Sequence, residues 1–568
     1  MSNAPKPPRT APPANESQLL ETIGLATLGV IAAVGTTLWL TGELAGRLFG
    51  GRWPTVGASA VTDILARFAS HASDPAQAWP ARQSRLIPGP AGFYATLAVL
   101  LVPLVVPCFA LLRRRLRATA QGRSAARWAA PRDLRPLRVR TPEAGRLTLG
   151  VVNGRLLAAE PRQSVIVIGP VQTGKTTGFA IPAILEWQGP VVATSVKTDL
   201  MRDTRAARSS IAGGEVWVYD PTGGTRVPSA GWTPLASAAT WQGARRVSSW
   251  LVAAAHHGTR GLESGEFWYA AAAKLLAPIL HAAAVTERTM AEVVRWVDTQ
   301  EEDDVRWALE RGGDPAPVTA FEASCRRDER TRSGIYTTAE TVLAAYADPG
   351  VLASAKTSEL QAERLLDGGH HTAYLCAPAH EQRRLQPLFA TLVEEIVARA
   401  YEQATSTGKP LDPPLLIVLD ECANIAPLRE LATLASTGAG QGIQLVTVFQ
   451  DMAQISAVYG RDRAPTIVSN HRARMILSGI ADAQTLDYVT RVLGEEEVAR
   501  TSSTDGDGGR RSTTSSLTHR TLVPANVLRE MKQGRGLLLY GSIPPARLKL
   551  RLFFSDRRLR RIAAGAPK

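Results

Sequence analysis

A glycine-rich segment, residues 169–177 (GPVQTGKTT), sets the strongest limit on the folds open to this 568-residue chain. Its G-x-x-x-x-G-K-T spacing follows the apolar run SVIVI and precedes a helix-compatible stretch. The amides of such a loop surround a β-phosphate, Lys175 neutralises β- and γ-oxygens, and the Thr176 hydroxyl binds Mg²⁺. We therefore predict a site for ATP and Mg²⁺, the alternative being a glycine-rich turn with a solvated lysine. The predicted nucleotide-binding residues are Gly169, Pro170, Val171, Gln172, Thr173, Gly174, Lys175, Thr176 and Thr177.

Short β-branched runs alternate with helical stretches after residue 150, a pattern typical of an α/β fold. Most of these runs are continuously apolar, as expected of parallel strands covered on both faces. Between residues 233 and 368 the spacing is helical, which predicts an inserted all-helical domain. The low-complexity segment 500–520 is predicted to be an exposed mobile loop. The predicted strands are 164–168, 190–196, 215–219, 372–377, 415–419, 444–449, 474–478, 536–540 and 549–554.

Polar residues at the ends of two predicted strands complete the candidate site. Asp420 and Glu421 follow the run 415–419, where Asp420 would hold Mg²⁺ through water and Glu421 would polarise the attacking water as a general base. Gln450, after the run 444–449, is a candidate sensor of the γ-phosphate. A surface strand ending and a helix-capping glutamine are the alternatives. The predicted catalytic residues are Lys175, Glu421 and Gln450, and the predicted metal ligands are Thr176 and Asp420.

Two uncharged segments near the N-terminus predict a membrane anchor. Residues 23–42 match the roughly 20 residues needed to cross a bilayer, and 91–112 form a second apolar stretch. Arginines directly after the second stretch place both termini in the cytoplasm, with 43–85 as an extracytoplasmic loop. A cleaved signal peptide is the alternative for the first stretch. Residues 1–18, rich in proline and polar side chains, are predicted to be a flexible tail.

Composition narrows the function classes only in part. The net charge of +14 suits a polyanionic partner or an anionic membrane surface, but the arginines are scattered, as a GC-rich genome would also produce. The four cysteines form no C-x-x-C pair, so neither a disulfide framework nor a zinc site is indicated. These counts fit a chain whose bulk lies in the cytoplasm.

Several motifs together resemble the type IV secretion coupling proteins of conjugative DNA transfer, the TraG-like and TraD-like membrane ATPases. The segment 419–428 (LDECANIAPL) and the segment 442–455 (GIQLVTVFQDMAQI) are the most restrictive of them. The resemblance covers nearly the whole chain. The further matching segments are the two apolar stretches, GPVQTGKTT, SVKTDL at 195–200, VYDPTG at 218–223, WTPL at 232–235 and NHRARMILSGIAD at 470–482.

The resemblance implies a RecA-like P-loop ATPase domain with an inserted all-α domain, preceded by two transmembrane helices. It further implies a homo-hexameric ring at the cytoplasmic (inner) membrane that couples relaxase-bound single-stranded DNA to a type IV secretion channel. The implied parts are a tail at 1–18, a membrane anchor at 19–112, a basic connector at 113–150, a nucleotide-binding domain at 151–232 and 369–568, and a helical insertion at 233–368.

The chain departs from the family pattern at one place. Many members carry a basic residue just before the glycine that matches Gly442, which serves as an arginine finger to the neighbouring subunit, whereas this chain has the segment 439–441 (AGQ). Arg332, Arg472 or Arg474 could serve instead. Lys197 and Asp199 match a family segment beside the nucleotide site, and a structural salt link is an equal alternative for them.

Two other functions stay open. In the first, a nucleotide-gated receptor recruits protein effectors to a secretion channel, and the aromatic residues 267–269 of the insertion form the recognition surface. In the second, the chain is a DNA pump of the chromosome-segregation type. That class would be expected to carry a duplex-reading winged-helix module near the C-terminus, where this sequence has the basic segment DRRLRRIAAGAPK.

Overall fold

The computed structural model describes residues 16–102, 126–195, 198–256, 265–505 and 511–565. The chain divides into two compact units, Met1–Ser124 and Ala125–Lys568. Lys197 lies outside the described residues, as do residues 1–15 of the predicted tail and residues 113–125 of the predicted connector.

The first unit consists of helices around a small aromatic core. Its helices are α1 (Glu16–Phe49), α2 (Val61–Phe68) and α3 (Pro90–Val102). The rings of Trp79 and Phe93 are buried and meet edge to face with centroids 5.5 Å apart. The buried carboxylate of Glu43 accepts hydrogen bonds from the backbone amides of Thr55 and Val56. This contact holds the segment after α1 against the helix that precedes it.

The two predicted membrane spans fall differently on these helices. The first, 23–42, lies within α1, and the second begins in α3 but continues from residue 103 outside the described residues. Among the described residues, the helix Gly265–Val285 is the one that is long and apolar enough to cross a bilayer, and most of it is buried inside the second unit. Burial of that kind is typical of a core helix in a water-soluble unit, so the two-span anchor stays a prediction.

The second unit is built on a large sheet. Within the described residues, twelve strands follow the order β1-β3-β2-β14-β13-β10-β4-β9-β8-β5-β7-β6. The strands are β1 (Arg138–Val139), β2 (Thr148–Val152), β3 (Arg155–Ala158), β4 (Val165–Ile168), β5 (Val191–Ser195), β6 (Val216–Tyr219), β7 (Thr372–Cys376), β8 (Leu415–Leu419), β9 (Ile443–Phe449), β10 (Ala473–Leu477), β11 (Glu495–Asp505), β12 (Arg511–Thr521), β13 (Arg535–Tyr540) and β14 (Ile543–Lys549).

The sheet has a parallel half and an antiparallel half. The strands from β10 to β6 run parallel to one another, and those from β13 to β1 pair antiparallel. Every residue of β4, β5, β7, β8 and β9 is buried, which explains why these strands are mostly apolar in sequence. The strand β4, which precedes the predicted phosphate loop, lies near the middle of the strand order.

Helices cover both faces of this sheet. Val165 and Val167 of β4 belong to one buried core, which contains residues of α4 and α5, whereas Ile166 and Ile168 belong to the other, which contains α15 and the helical region. The helices are α4 (Ile181–Glu186), α5 (Asp199–Ser209), α6 (Leu235–Ala238), α7 (Trp241–His256), α8 (Gly265–Val285), α9 (Met290–Asp298), α10 (Asp303–Gly312), α11 (Pro315–Cys325), α12 (Glu329–Leu343), α13 (Pro349–Ser354), α14 (Ala362–Leu365), α15 (Gln382–Thr407), α16 (Cys422–Ile425), α17 (Leu431–Gln441), α18 (Met452–Tyr459), α19 (Arg463–Asn470), α20 (Ala483–Leu493), α21 (Ala525–Arg529) and α22 (Arg557–Ala563).

The described residues between β6 and β7 form helices and their connections, with no strand among them. Helices α6 to α14 succeed one another there, and polar caps begin several of them: the side chains of Thr289, Asp314 and Asp328 accept backbone hydrogen bonds at the starts of α9, α11 and α12. The aromatic residues 267–269 in this region differ in their exposure to solvent. Phe267 is 54% exposed, whereas Trp268 packs on Gly334, where an added Cβ would lie 2.7 Å from its ring.

Two sequence predictions about strands are wrong. The last strand is β14 (Ile543–Lys549), not 549–554; its two prolines, which are unfavourable in most strands, concealed it. The segment 500–520 is not a loop in its described residues, because β11 and β12 pair antiparallel from Glu495–Thr521 to Asp505–Arg511. The β-branched threonines of this segment favour a strand more than its low complexity suggests.

The strands β1, β3 and β2 form one end of the sheet. A single registered pair, Lys549 with Val151, connects β14 to β2. Beside it, the Arg551 guanidinium donates to the Thr148 hydroxyl at 3.2 Å and forms an ion pair with Glu186 at 2.9 Å. Both charged side chains are less than a tenth exposed. This buried pair links the edge strands to the C-terminal end of α4.

Candidate nucleotide site

The carboxyl ends of β4, β9 and β8 bring the predicted site residues to one edge of the sheet. β4 pairs with β9 and β9 with β8, all in parallel, so the segments that follow these strands are neighbours. The phosphate loop follows β4 and turns through Gly174, whose φ of +91° lies in the region that favours glycine. A π-helical turn, Thr176–Ala180, then leads into α4.

Lys175 folds back over its own loop. Its Nζ donates hydrogen bonds to the carbonyls of Gly169 at 2.6 Å and Pro170 at 2.9 Å, and the side chain is buried. Thr173 supports the same turn by donating from its hydroxyl to the Pro170 carbonyl at 2.8 Å. The loop therefore holds a cation at its centre, where phosphate oxygens would accept these hydrogen bonds instead of the two carbonyls.

Thr176, in the loop after β4, forms a hydrogen bond with Asp420, directly after β8, although β9 lies between these two strands. The Thr176 hydroxyl donates to Asp420 Oδ2 at 2.8 Å, while the buried Oδ1 has no hydrogen-bond partner in the described part of the chain. Burial raises the pKa of Asp420 to about 7, although the hydrogen bond from Thr176 acts in the opposite direction. A hydroxyl and a carboxylate are oxygen ligands that Mg²⁺ prefers, and Mg²⁺ takes its remaining ligands from water and phosphate. The unsatisfied oxygen and this donor set fit the predicted ion.

Glu421 sits in a left-handed backbone conformation, with φ of 57°, directly before α16. Its Oε2 accepts hydrogen bonds from Asn424 Nδ2 at 3.1 Å and from Gln450 Nε2 at 3.3 Å. Positive φ is costly for a residue with a side chain and concentrates at functional positions. The two amides orient one carboxylate oxygen, as a positioned base requires.

Gln450 does not cap α18. Asp451 performs that role, since its Oδ1 accepts from the Gln454 backbone amide at 2.7 Å. The Gln450 side chain instead reaches Glu421, and its backbone amide donates to the Gln454 side chain at 2.9 Å. The structure thus removes the capping alternative that the sequence left open for Gln450.

These groups line a cleft of about 710 Å³. Of the predicted residues, Gly169, Pro170 and Thr173 are not among its lining and support the loop from behind. Asp199, at the first position of α5, lines the cleft too. The predicted residues that line it are Val171, Gln172, Gly174, Lys175, Thr176, Thr177, Asp420, Glu421 and Gln450.

One wall of the cleft was missed by sequence reasoning. Gln382, Arg383 and Gln386, at the start of α15, face the phosphate loop across it. The signal that could have indicated them is topological: α15 follows β7, whose carboxyl end lies at the same edge of the parallel sheet.

The three arginines considered as fingers lie elsewhere and have local partners. Arg472 pairs with Glu160 at 2.9 Å, and Arg332 pairs with Glu302 at 3.2 Å. Arg474 donates to the Tyr488 hydroxyl at 3.3 Å. None of the three lines the cleft formed by the described residues of its own chain.

Residues 130–566 match the family described as type IV secretory system conjugative DNA transfer. The chain belongs to this family. Protein VirD4 of Rhizobium rhizogenes is 23% identical to this family member over 492 residues, which cover 83% of the chain and 71% of VirD4. The conjugal transfer protein TraG of Escherichia coli is 26% identical over 331 residues, 54% of the chain and 51% of TraG.

Solved structures of a bacterial conjugative coupling protein share the fold. TrwBdeltaN70, in an unbound form, matches this family member with a TM-score of 0.59 at 20% identity over 76% of the chain and 93% of the TrwB chain. TrwB in complex with ADP and Mg²⁺ matches with a TM-score of 0.58 at 19% identity over 76% and 94% of the two chains. The predicted RecA-like α/β fold is thereby confirmed for the body of the chain.

Proposed function

We propose that this family member is a membrane-anchored ATPase that couples a relaxase-bound single-stranded DNA substrate to a type IV secretion channel and drives its transfer by ATP hydrolysis. The observation that carries the proposal is the 2.8 Å hydrogen bond between Thr176 and Asp420, in a cleft that also contains Lys175, Glu421 and Gln450. It joins a phosphate loop to an acid from a second strand, the arrangement that binds Mg²⁺ and a nucleoside triphosphate. The ADP and Mg²⁺ held by TrwB support the same ligands here.

The residues of the cleft have different roles in hydrolysis. Lys175 exchanges its two loop carbonyls for β- and γ-phosphate oxygens, and Thr176 and Asp420 hold Mg²⁺, which supplies positive charge to the phosphates. Glu421, oriented by Gln450, accepts the proton of the water whose oxygen attacks the γ-phosphorus. The bond to the β–γ bridging oxygen breaks, and ADP and inorganic phosphate leave.

The organisation of the proposed motor follows the family resemblance. The anchor comprises residues 19–112, the nucleotide-binding domain 151–232 and 369–568, and the helical insertion 233–368. The chain assembles as a homo-hexamer at the cytoplasmic membrane, with the bulk of each subunit in the cytoplasm. The helical character of the described residues between β6 and β7 supports the insertion, and the uncharged segment 23–42 within α1 supports the anchor.

The test is ATP turnover of the full chain in lipid nanodiscs, with and without single-stranded DNA, at several protein concentrations. We expect DNA to stimulate turnover and specific activity to rise with concentration, because neighbouring subunits complete each site. Lys175→Ala is the control for contaminating ATPases. Nucleotide binding without turnover under every condition would refute the motor.

The recruitment of protein effectors is a second candidate, favoured by the exposed aromatics of the helical region. Phe267 is 54% exposed and Trp307 is 49% exposed, so both rings are accessible to a protein partner. Capture of a purified relaxase or effector by the nanodisc-bound chain without nucleotide or DNA, lost in a Phe267→Ser/Trp307→Ser variant, would favour this receptor function.

A further inference from the structure

Two adjacent side chains on α15 enter the nucleotide cleft without belonging to the predicted site. Gln382 and Arg383 line it together with the phosphate loop and with Glu421. They are the first two residues of the helix that follows β7. Because β7 and β5 run parallel, this helix start lies at the same edge as the carboxyl ends of the other parallel strands.

Gln382 carries a buried donor that the chain does not use. The residue is 7% exposed, and its Nε2 has no hydrogen-bond partner among the described residues. An unsatisfied buried amide is unfavourable, and most such groups in proteins meet a partner or a ligand. An acceptor bound in the cleft would satisfy it.

Arg383 differs from the next residue, Arg384, in its ion pairs. Arg384 is held by ion pairs to Glu381 at 2.6 Å and Asp348 at 3.1 Å, away from the cleft lining. Arg383, in contrast, lines the cleft and has no ion pair within the described ranges. Its guanidinium offers several donors suited to phosphate oxygens.

The helix that carries these residues is tied to the segment after Glu421. The Gln386 side chain donates to the carbonyls of Ala423 at 3.3 Å and Asn424 at 3.4 Å. Asn424 in turn orients Glu421. The wall of the cleft formed by α15 is therefore fixed beside the proposed base, at the end of the cleft where the γ-phosphate would lie.

The charge in this cleft favours a cation at that end. Three acids line it, Asp199, Asp420 and Glu421, against two bases, Lys175 and Arg383. A triphosphate brings more negative charge to this end than a diphosphate does. Lys175 serves oxygens of both the β- and the γ-phosphate. Arg383 is the second basic residue of the described lining and can offset the additional charge of the γ-phosphate.

We infer that Gln382 and Arg383 bind the γ-phosphate of the nucleotide held by the phosphate loop of the same chain, and so distinguish ATP from ADP. This inference rests on the proposed function. It supplies from within the subunit a second cation, besides Lys175, for the γ-phosphate.

The test compares ATP and ADP affinity rather than turnover. Fluorescent ATP and ADP analogues are titrated with Mg²⁺ into the full chain in nanodiscs, in a Glu421→Gln background that slows hydrolysis. We expect Arg383→Ala to weaken ATP binding at least about tenfold and ADP binding less than about twofold, as the loss of a charged hydrogen bond predicts. Gln382→Met should weaken ATP selectively by a smaller factor, and Arg383→Lys should restore part of the loss.

Arg245→Ala, an exposed arginine on α7 outside the cleft lining, is the charge-matched control and should change neither affinity. Retained ADP binding shows that the variants fold. Equal loss of ATP and ADP, or no loss, would overturn the inference while leaving the proposed function intact. A loss seen only at concentrations where subunits associate would overturn the assignment to the same chain. Failure of the unsubstituted chain to bind either nucleotide would refute the proposed function itself.

Discussion

Glu395 of α15 makes the stability of this protein depend on pH in a direction that can be calculated. Its Oε2 accepts from Trp232 Nε1 at 3.0 Å and its Oε1 from the Ser237 hydroxyl at 2.7 Å. Burial raises the pKa of Glu395 from 4.5 to about 7, and the two hydrogen bonds offset only part of this effect. The folded state therefore favours the protonated acid more strongly than the unfolded state does.

The sign and size follow from proton linkage. Because the pKa of Glu395 is higher in the folded state, the protonated carboxyl favours folding. Its contribution to the free energy of unfolding is complete below pH 4.5 and is lost as the pH rises to about 7. The shift corresponds to at most about 3 kcal/mol. Glu395→Gln keeps an oxygen that accepts from Trp232 Nε1, and its amide group can donate to the Ser237 hydroxyl oxygen. The variant thus resembles the protonated acid and cannot ionise. We expect the variant to match the wild type at pH 4.5 and to exceed it by up to about 3 kcal/mol at pH 8.

The assay is thermal unfolding of the full chain in nanodiscs at both pH values. For a unit as large as Ala125–Lys568, 1 kcal/mol corresponds to about 1 °C, so the variant should unfold up to about 3 °C higher at pH 8. Glu402→Gln, on the same helix but 44% exposed, is the control and should show no comparable pH dependence. A Glu395→Gln shift of equal size at both pH values, or a lower unfolding temperature at pH 8, would refute the reasoning.

Three further predictions concern the nucleotide site and a buried arginine at the opposite edge of the parallel strands. Lys175→Ala should abolish binding of a fluorescent ATP analogue, and unchanged affinity would contradict its place in the loop. Glu421→Gln should retain binding but slow steady-state hydrolysis at least about 10²-fold, and normal turnover would remove Glu421 from the mechanism. Arg208→Met should lower the free energy of unfolding by about 3 kcal/mol or more in denaturant titrations, because Arg208 is fully buried and donates to the carbonyls of Trp187, Gly189 and His370. Arg205→Met, an exposed change on the same helix, should cost less than about 1 kcal/mol.

The parallel half of the sheet was predictable because burial on both faces leaves a simple sequence pattern. β8 was located at its observed bounds, and most of the other parallel strands to within one or two residues, since their apolar runs end where the chain leaves the core. The edge strands β1, β2 and β3 were missed. β1 and β3 span only two and four residues, and Gly150 interrupts the apolar run of β2.

The candidate site was predictable where a motif fixes the chemistry, as at Lys175 and Asp420. It was not predictable where the fold alone brings a residue to the cleft. Gln382 and Arg383 lie in no motif, and 204 residues separate Thr177, the last residue of the loop, from Gln382. The hydrogen bond from Gln450 to Glu421 likewise depends on the neighbouring positions of β9 and β8, which no local pattern encodes.

The buried pair of Arg551 and Glu186 has a mechanical consequence. The chain enters the second unit through the segment that leads to β1, β2 and β3, and the registered backbone pairing of these strands with β14 is limited to Lys549 with Val151 in the described residues. A force applied along that segment would meet little resistance from backbone hydrogen bonds at β14. It would pass instead through Thr148 and Arg551 to Glu186, the last residue of the helix that starts from the phosphate loop. Tension at the point of entry and the occupancy of the loop by phosphate would then influence each other.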